Sequence, residues 1–426
     1  MIGIEQRQKM HFTSKIRIIT VHSMVTVPEW DPLASHSRLF DDYAHLRYQC
    51  PVAHSSAFGG YWMLSRYEDV AAAALDPETF ASGVPFVENT TTSGLEAIPI
   101  SLNPPLHTSY RRLLNPFFRA SRISAIEPEV RALARDQLAP FLEHRGGDLV
   151  SAVSYPFPAR VLCRFLGLPD DQWPALKSLS ESSDTSRGRR EAATEHNRRL
   201  VAFIDGVLRE RREAPRSPQV DLLSAVLAAA VADRPLSRQT IILIVKQLFT
   251  AGHTTTSRAI ANAVYFLAAD PGLQADLREH RDRIPGAIEE VLRLAPPLHQ
   301  LARTVVSDTT IRDRRPHRGD RVVLNYASAN RDGAEFQQPE QLVLNRRPNR
   351  HLTFGIGIHA CLGAPLARLE IRVMIEELLA ATRHVRLSGE PVPEVPRAGH
   401  FTSGFSRLPV ELLLTDEALT GIDSGE

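Results

Sequence analysis

Residues 354–363 read Phe-Gly-Ile-Gly-Ile-His-Ala-Cys-Leu-Gly, and this run constrains the chain more than any other. Glycine takes backbone conformations that a side chain forbids, so glycines at 355, 357 and 363 permit a tight turn lying close against something large and flat. Directly behind it Leu362, Leu366, Leu369 and Val373 recur at helical spacing, which predicts Cys361 at a helix N-terminus. Unpaired N–H groups and the helix dipole there are expected to stabilise a thiolate and lower its pKa. Amide hydrogen bonds to the sulfur would also tune a bound metal. A lone buried cysteine is more often a small hydrophobe than a ligand. The glycines single this one out.

The second constraint is a helical pattern over 237–268, with Ser237 as its expected N-cap. At 1.5 Å per residue it would be roughly 48 Å long, enough to cross a domain. Its centre reads Ala251-Gly252-His253-Thr254-Thr255-Thr256, poor helix material of one glycine and three β-branched hydroxyls. Such a centre predicts a bend. Helical patterns dominate from 109 to 380, broken near 167–174, 212–220 and 270–271. Strand candidates fall at 61–65, 303–325 and 409–414. The loop 81–105 is rich in Ser, Thr, Gly and Pro and is expected to be a lid or binding loop. The chain is expected to be mainly α with small sheets at one side.

Hydrophobic residues at 43% and charged residues at 23% place the chain among ordinary globular proteins. A net charge of +1 gives no bulk field toward nucleic acid or an anionic membrane. The longest apolar stretch, 241–245, falls far short of the roughly 20 residues that span a bilayer, so no membrane anchor is expected. Three scattered cysteines (Cys50, Cys163, Cys361) make neither a disulfide framework nor a multi-thiolate site. A reducing, cytoplasmic location fits best. Lysine occurs only at positions 9, 15, 177 and 246; the arginine bias suggests a high-GC bacterial source. Residues 1–30 are expected to be a flexible basic extension, with Met24 as an alternative start. Residues 31–414 are read as one domain and 415–426 as a tail.

Position by position, 354–363 resembles the heme-binding signature of the cytochrome P450 superfamily. The resemblance implies a mainly α fold of that type, with a large helical lobe and a small β-rich lobe. Heme b would lie between the long central helix and the cysteine loop. Cys361 would be the proximal thiolate, with Phe354 near the sulfur, Gly355 in the cradle, and His359 on a heme propionate. Glu290-Val291-Leu292-Arg293 resembles the family's ExxR motif, in which i and i+3 share a helix face. Arg346 matches the arginine that completes this structural cluster. His107 and Arg111 fit the HTxxR motif, and they and Arg303 would bond propionates. Ala251, Gly252, Thr254 and Thr255 fall on the oxygen-binding groove, and Thr255 on the threonine that supports proton delivery. Thr254, however, occupies the position where Asp or Glu is usual. Water, His253 or a substrate group would have to substitute, or the reaction would need another proton route.

The resemblance further implies a soluble bacterial monooxygenase acting on a small molecule, in secondary metabolism, with O2. No flavin or nicotinamide fingerprint follows Cys361, so electrons would come from NAD(P)H through a ferredoxin reductase and a ferredoxin. Arg111, Arg112, Arg119, Arg122, Arg347, Arg350, Arg368 and Arg372 would form a basic face steering an acidic ferredoxin. Gln247, Leu248, Leu298, His299, Gln300, Phe401, Thr402 and the loop 81–100 would line the substrate pocket. His299 and Gln300 suggest a substrate with hydrogen-bonding groups, such as an aromatic or peptide-derived metabolite. Alternatives are aromatic coupling, nitration or peroxide-driven oxidation on the same fold, a non-catalytic heme protein, and a heme-free helical binding protein.

Overall fold

The computed structural model describes residues 39–87, 97–176, 178, 190–395 and 401–424. The basic extension over 1–30 and residues 88–96 of the 81–105 loop lie outside these residues. Ser237 caps the first central helix, its Oγ accepting from the Thr240 amide at 3.1 Å, and the helix runs Arg238–Ala251. Ile241, Ile244, Val245 and Phe249 recur at helical spacing and pack against Leu162, Leu166, Ile204 and Leu208. A second helix, Thr254–Ala269, carries Ile260, Ala263, Val264 and Leu267 into another cluster with Val161, Ile288, Leu292, Leu366 and Val373.

The single bent helix expected over 237–268 is therefore two helices. His253, at φ −129° and ψ −42°, leaves helical geometry, and the Ala251 carbonyl accepts the Thr255 hydroxyl at 3.1 Å. Gly252 is required at the break. A Cβ there would stand 2.6 Å from the Leu248 carbonyl and 3.1 Å from both Leu162 methyls, so helix Pro156–Phe165 can touch the break only because nothing projects from it.

The fold is mainly α with small sheets: the five-stranded one has core clusters of its own, and the three-stranded one packs on the main helical core. One sheet has the order Val52–Ser55, Tyr61–Leu64, Arg321–Asn325, Gln300–Val305, Phe80–Ala81. Strands Tyr61–Leu64 and Arg321–Asn325 are parallel and the other neighbours antiparallel. A second sheet joins Gly146–Asp148, Pro409–Leu414 and Thr382–Leu387. Pro409–Leu414 coincides with the expected strand, whereas the expectation over 303–325 resolves into two strands around a turn. The tail forms a helix, Asp416–Ser424, whose Ala418 and Leu419 pack on the main core. Among the described residues no helix is long and apolar enough to cross a membrane.

Candidate active site

The cysteine loop is closed by its own backbone, the Cys361 amide donating to the Phe354 carbonyl at 2.7 Å. Gly355 and Gly357 turn the chain at φ +67° and +75°, and a Cβ at Gly357 would stand 3.0 Å from the Ala74 carbonyl. The following helix, Ala364–Ala381, begins three residues after Cys361. Cys361 is open to an interior cavity while protein surrounds it. Burial pushes its thiol up, against the pull of the Gly363 amide, Arg111, the Ala364 amide and Arg368. The lowered thiol pKa expected from the helix dipole is thus corrected: desolvation is the larger effect in the protein alone.

Two ion-pair clusters brace the loop from behind. Arg293 grips Glu290 with both prongs, at 2.7 and 3.0 Å, and neither residue has any exposure to solvent. Arg346 Nε, the Val343 amide and Asn349 Nδ2 also donate to this carboxylate, at 2.9, 2.8 and 3.0 Å. Burial opposes the Glu290 charge, and the bonds from Arg293, the Val343 amide and Arg346 outweigh it, holding the carboxyl below its usual range. In the second cluster Glu289 takes a bidentate bond from Arg368 at 2.7 and 2.8 Å and shares one with His351 at 2.9 Å. Despite burial, Arg368 and His351 pull Glu289 down to about 2. The same Arg368 guanidinium lies 4.4 Å over the Phe354 ring, so the pair supports the loop from below.

On one side of the cavity three basic groups, His107, Arg111 and His359, line the wall, and Arg303 is buried close to His359 without lining it. Helix Leu106–Leu114 supplies His107 and Arg111, strand Gln300–Val305 supplies Arg303, and the loop supplies His359. The His107 and His359 rings are 4.3 Å apart. Arg111 donates to the Ala360 carbonyl at 3.0 Å, and Arg303 hydrogen-bonds Tyr326. His359 Nε2 shares a 2.8 Å bond with Ser82 Oγ, whose backbone is held by Asn103. Burial, then Arg303, His107 and Arg111, push the His359 imidazole down to about 3. The standing charges that act on it, Arg303 and Arg111, are both cations, which favours anionic groups at this site.

The cavity has about 1570 Å³ of space free of protein atoms, partly open to solvent. Cys361, Phe354, Gly355, His359, His107 and Arg111 line it together with Ala251, Gly252 and Thr255 from the helix break. Gln247, Leu248 and Leu298 also line it, as do Ile98, Pro99 and Ile100 from the end of the loop. Thr254 does not.

Four expected pocket residues lie elsewhere. His299 turns into the interior, bonded to Tyr43 at 3.3 Å and Ser403 at 2.8 Å. Gln300 is buried, on the opposite strand face from Leu301, which lines the cavity. Phe401 packs in the sheet core with Tyr43, Tyr61 and Met63, and Thr402 bonds Glu394 at 3.2 Å. His253 is also turned away, its Nδ1 on the Phe249 carbonyl at 2.9 Å and its ring against Tyr155. The eight-arginine face is likewise reduced. Arg368 is held by Glu289, Arg372 by Glu127 and Glu376, and Arg122 by the carbonyls of Gln219 and Val220. Arg112, Arg119 and Arg347 are exposed without an ion-pair partner among the described residues.

Sequence reasoning missed Asn349, Leu301 and Glu370, and gave Ser82 only as part of the 81–100 loop. Glu370 had a visible signal: it follows Leu366 by four residues on an apolar helix face. Asn349 and Leu301 lacked any signal short of the fold.

A family model described as Cytochrome P450 matches residues 186–411. The chain is 32% identical to the putative cytochrome P450 YjiB of Bacillus subtilis (strain 168) over 355 residues, covering 81% of this chain and 88% of that one. It is 33% identical to mycinamicin IV hydroxylase/epoxidase of Micromonospora griseorubida over 347 residues, covering 78% and 84%. The crystal structure of CYP108D1 from Novosphingobium aromaticivorans superposes with a TM-score of 0.80 at 29% identity, covering 90% of this chain and 97% of that one.

Proposed function

The chain belongs to the cytochrome P450 family of heme b monooxygenases, and we propose that it oxidises a largely apolar small molecule in secondary metabolism, in the cytoplasm, with electrons from a ferredoxin. The carrying observation is the cavity that Cys361 shares with the helix break at Ala251–Gly252. Among the described residues no three His, Cys, Asp or Glu groups meet to hold a metal ion, so a metal on this one sulfur must bring its other ligands. The residues fit heme b in three ways: one thiol opens into the cavity, two arginines with two histidines beside them suit two carboxylates, and Gly355 lines the cavity near the sulfur without a side chain. Bound heme supplies oxygen activation, which a thiolate ligand favours.

In this reading Cys361 ligates the iron, and Phe354 and Gly355 shape its cradle. His107, Arg111, Arg303 and His359 hold the propionates. Glu290, Arg293 and Arg346 keep the loop in place without touching the reaction. Ala251 and Gly252 leave room, and Thr255 passes protons. The 31–414 region acts as one domain.

The substrate follows from which side chains face the cavity. With His299 and Gln300 turned away, the chamber near the break is bounded by Ile98, Pro99, Leu248 and Leu298, with the Gln247 amide as a polar group among them. An amide in an apolar wall orients a ligand that carries one matching hydrogen-bonding group. This supports a mainly hydrocarbon molecule with a single carbonyl or hydroxyl rather than a polar aromatic. The relative named as a mycinamicin IV hydroxylase/epoxidase is compatible with such a chamber.

The test is the carbon-monoxide spectrum of the reduced heme-loaded protein. The red-shifted band of thiolate ligation is expected in the wild type and lost in Cys361→Ala; a wild type without it sinks the reading. Spectral titrations should then rank terpenoid and macrolide ligands above polar aromatics, and the reverse ranking overturns the substrate class.

A further inference from the structure

The cavity wall at Pro297 and Leu298 takes its place from groups outside the cavity. The Pro296 carbonyl accepts from the Ser403 amide at 3.4 Å, and the His299 amide donates to the Phe401 carbonyl at 3.0 Å. Both ends of this wall are therefore bonded to one segment, 401–403, which leads into the second strand of the hairpin Val392–Pro393 and Phe405–Arg407. His299 Nε2 adds a 2.8 Å bond with Ser403 Oγ. The hairpin is in turn tied to the helix after the break. Arg258 Nε donates to Glu394 Oε2 at 2.7 Å, Thr402 Oγ1 to the same oxygen at 3.2 Å, and the Glu394 amide to the Gly404 carbonyl at 3.0 Å. One turn on, Asn262 Nδ2 donates to the carbonyls of Ala295 and Ser403, at 3.0 and 3.2 Å. Thr255, Thr256 and Ala259 of the same helix line the cavity.

Arg258 is 8% exposed. A buried ion pair adds little stability over apolar side chains of equal volume, and its best-attested use is to fix one register among several. Backbone carbonyls repeat along the 401–403 segment, so the bonds to it leave its register weakly chosen. The Arg258–Glu394 contact exists at one position. A Cβ at Gly404 would stand 2.8 Å from Arg258 Cγ, so the arginine stem also passes the strand at a residue with no side chain.

We propose that Arg258 and Glu394 are specificity-determining positioning residues of this chain, holding the hairpin in the register that sets how far Pro297 and Leu298 reach over the substrate. This rests on the oxygenase reading above. Neither residue lines the cavity; both act through 401–403 on the wall bonded to it. An apolar wall selects by fit, and one methylene more or less is worth about 10–200-fold. A wall whose support can slip loses that selection among ligands of graded length, while the reacting centre stays as it was.

Arg258→Met keeps the apolar stem and removes the charge. Spectral titration of the heme-loaded protein with 2-alkanones of increasing length should show the ratio of dissociation constants between best and worst ligand falling about 10-fold in this variant. On the preferred alkanone KM should rise with kcat near that of the wild type, the pattern of lost binding shared by ground and transition states. Amide exchange at His299 and Ser403 should speed up while strand Thr382–Leu387 keeps its protection. Arg258→Lys should recover part of the selection. Leu298→Ala should flatten selection in the wild type and add nothing in Arg258→Met, because the two changes act on one wall. Wild-type selection in Arg258→Met, a fall in kcat at constant KM, additive effects of the two substitutions, or failure of both Met and Lys variants to take up heme would each overturn the proposal. The last outcome would assign the pair to folding. Failure of the oxygenase reading is distinct, since it removes the carbon-monoxide band from the wild type and leaves the exchange measurement readable.

Discussion

Replacing Glu290 by glutamine should destabilise the protein by about 3–5 kcal/mol, the range for breaking a buried ion pair from one side. In the native site Oε1 accepts from Arg293 Nε, Arg346 Nε and Asn349 Nδ2, and Oε2 from Arg293 Nη2 and the Val343 amide. Glutamine can place its oxygen at the first position and must then set an NH2 against two donors at the second. It also leaves the Arg293 charge, which has no solvent exposure, without a counter-ion. Arg346→Met is the control for charge, because Glu290 keeps Arg293 and loses one charged hydrogen bond, worth about 1.5–3 kcal/mol, while the carbonyls of Gln337, Gln338 and Gln341 lose donors at an exposed edge where water can replace them. Urea unfolding followed by tryptophan fluorescence should place the Glu290→Gln midpoint well below that of Arg346→Met at unchanged slope. Heme should leave the Glu290 variant faster, since the Val343 anchor for the segment leading to Cys361 is lost. A Glu290→Gln protein losing less than about 1 kcal/mol, or no more than Arg346→Met, refutes the assignment of an uncompensated buried charge.

Gly252→Ala should destabilise the chain by about 1–3 kcal/mol through overpacking, read as a fall in urea midpoint that Leu162→Ala added to the same chain partly offsets. The depressed pKa of Glu289, about 2, stabilises the fold above its unfolded value near 4.5 and loses that contribution as pH falls from there toward 2. Urea midpoints measured over that window should drop in the wild type and change less in Glu289→Gln; equal slopes exclude the linkage. Arg112→Glu with Arg347→Glu should slow association of an acidic ferredoxin by about 10-fold or more at low salt and converge with wild type at high salt, measured by stopped-flow reduction. A salt-independent difference would point to contact loss instead.

Much of the site was legible because it is local in sequence. Glu290 and Arg293 share a helix face by spacing alone, and the glycines around Cys361 announce a turn. The composition of 251–256 announced a distortion but not its degree, because Leu162, which packs on Gly252, is distant in sequence. The pocket residues failed on parity. Leu301 and Arg303 occupy one face of their strand and Gln300 and Ala302 the other, so choosing Gln300 beside Arg303 was a one-residue slip that period 2 forbids. His299 is claimed by Tyr43 and Ser403, more than 100 positions away in either direction. The thiol shift went the other way because burial depends on the whole fold, whereas the helix dipole can be read from three residues.

Arg111 faces the cation cluster and also holds the carbonyl of Ala360, the residue before the sulfur. With the Phe354–Cys361 backbone bond, the segment that presents the thiol is fastened at two neighbouring residues. One guanidinium thus ties the anion-accepting face to that segment, so a substitution at Arg111 cannot weaken the one without loosening the other.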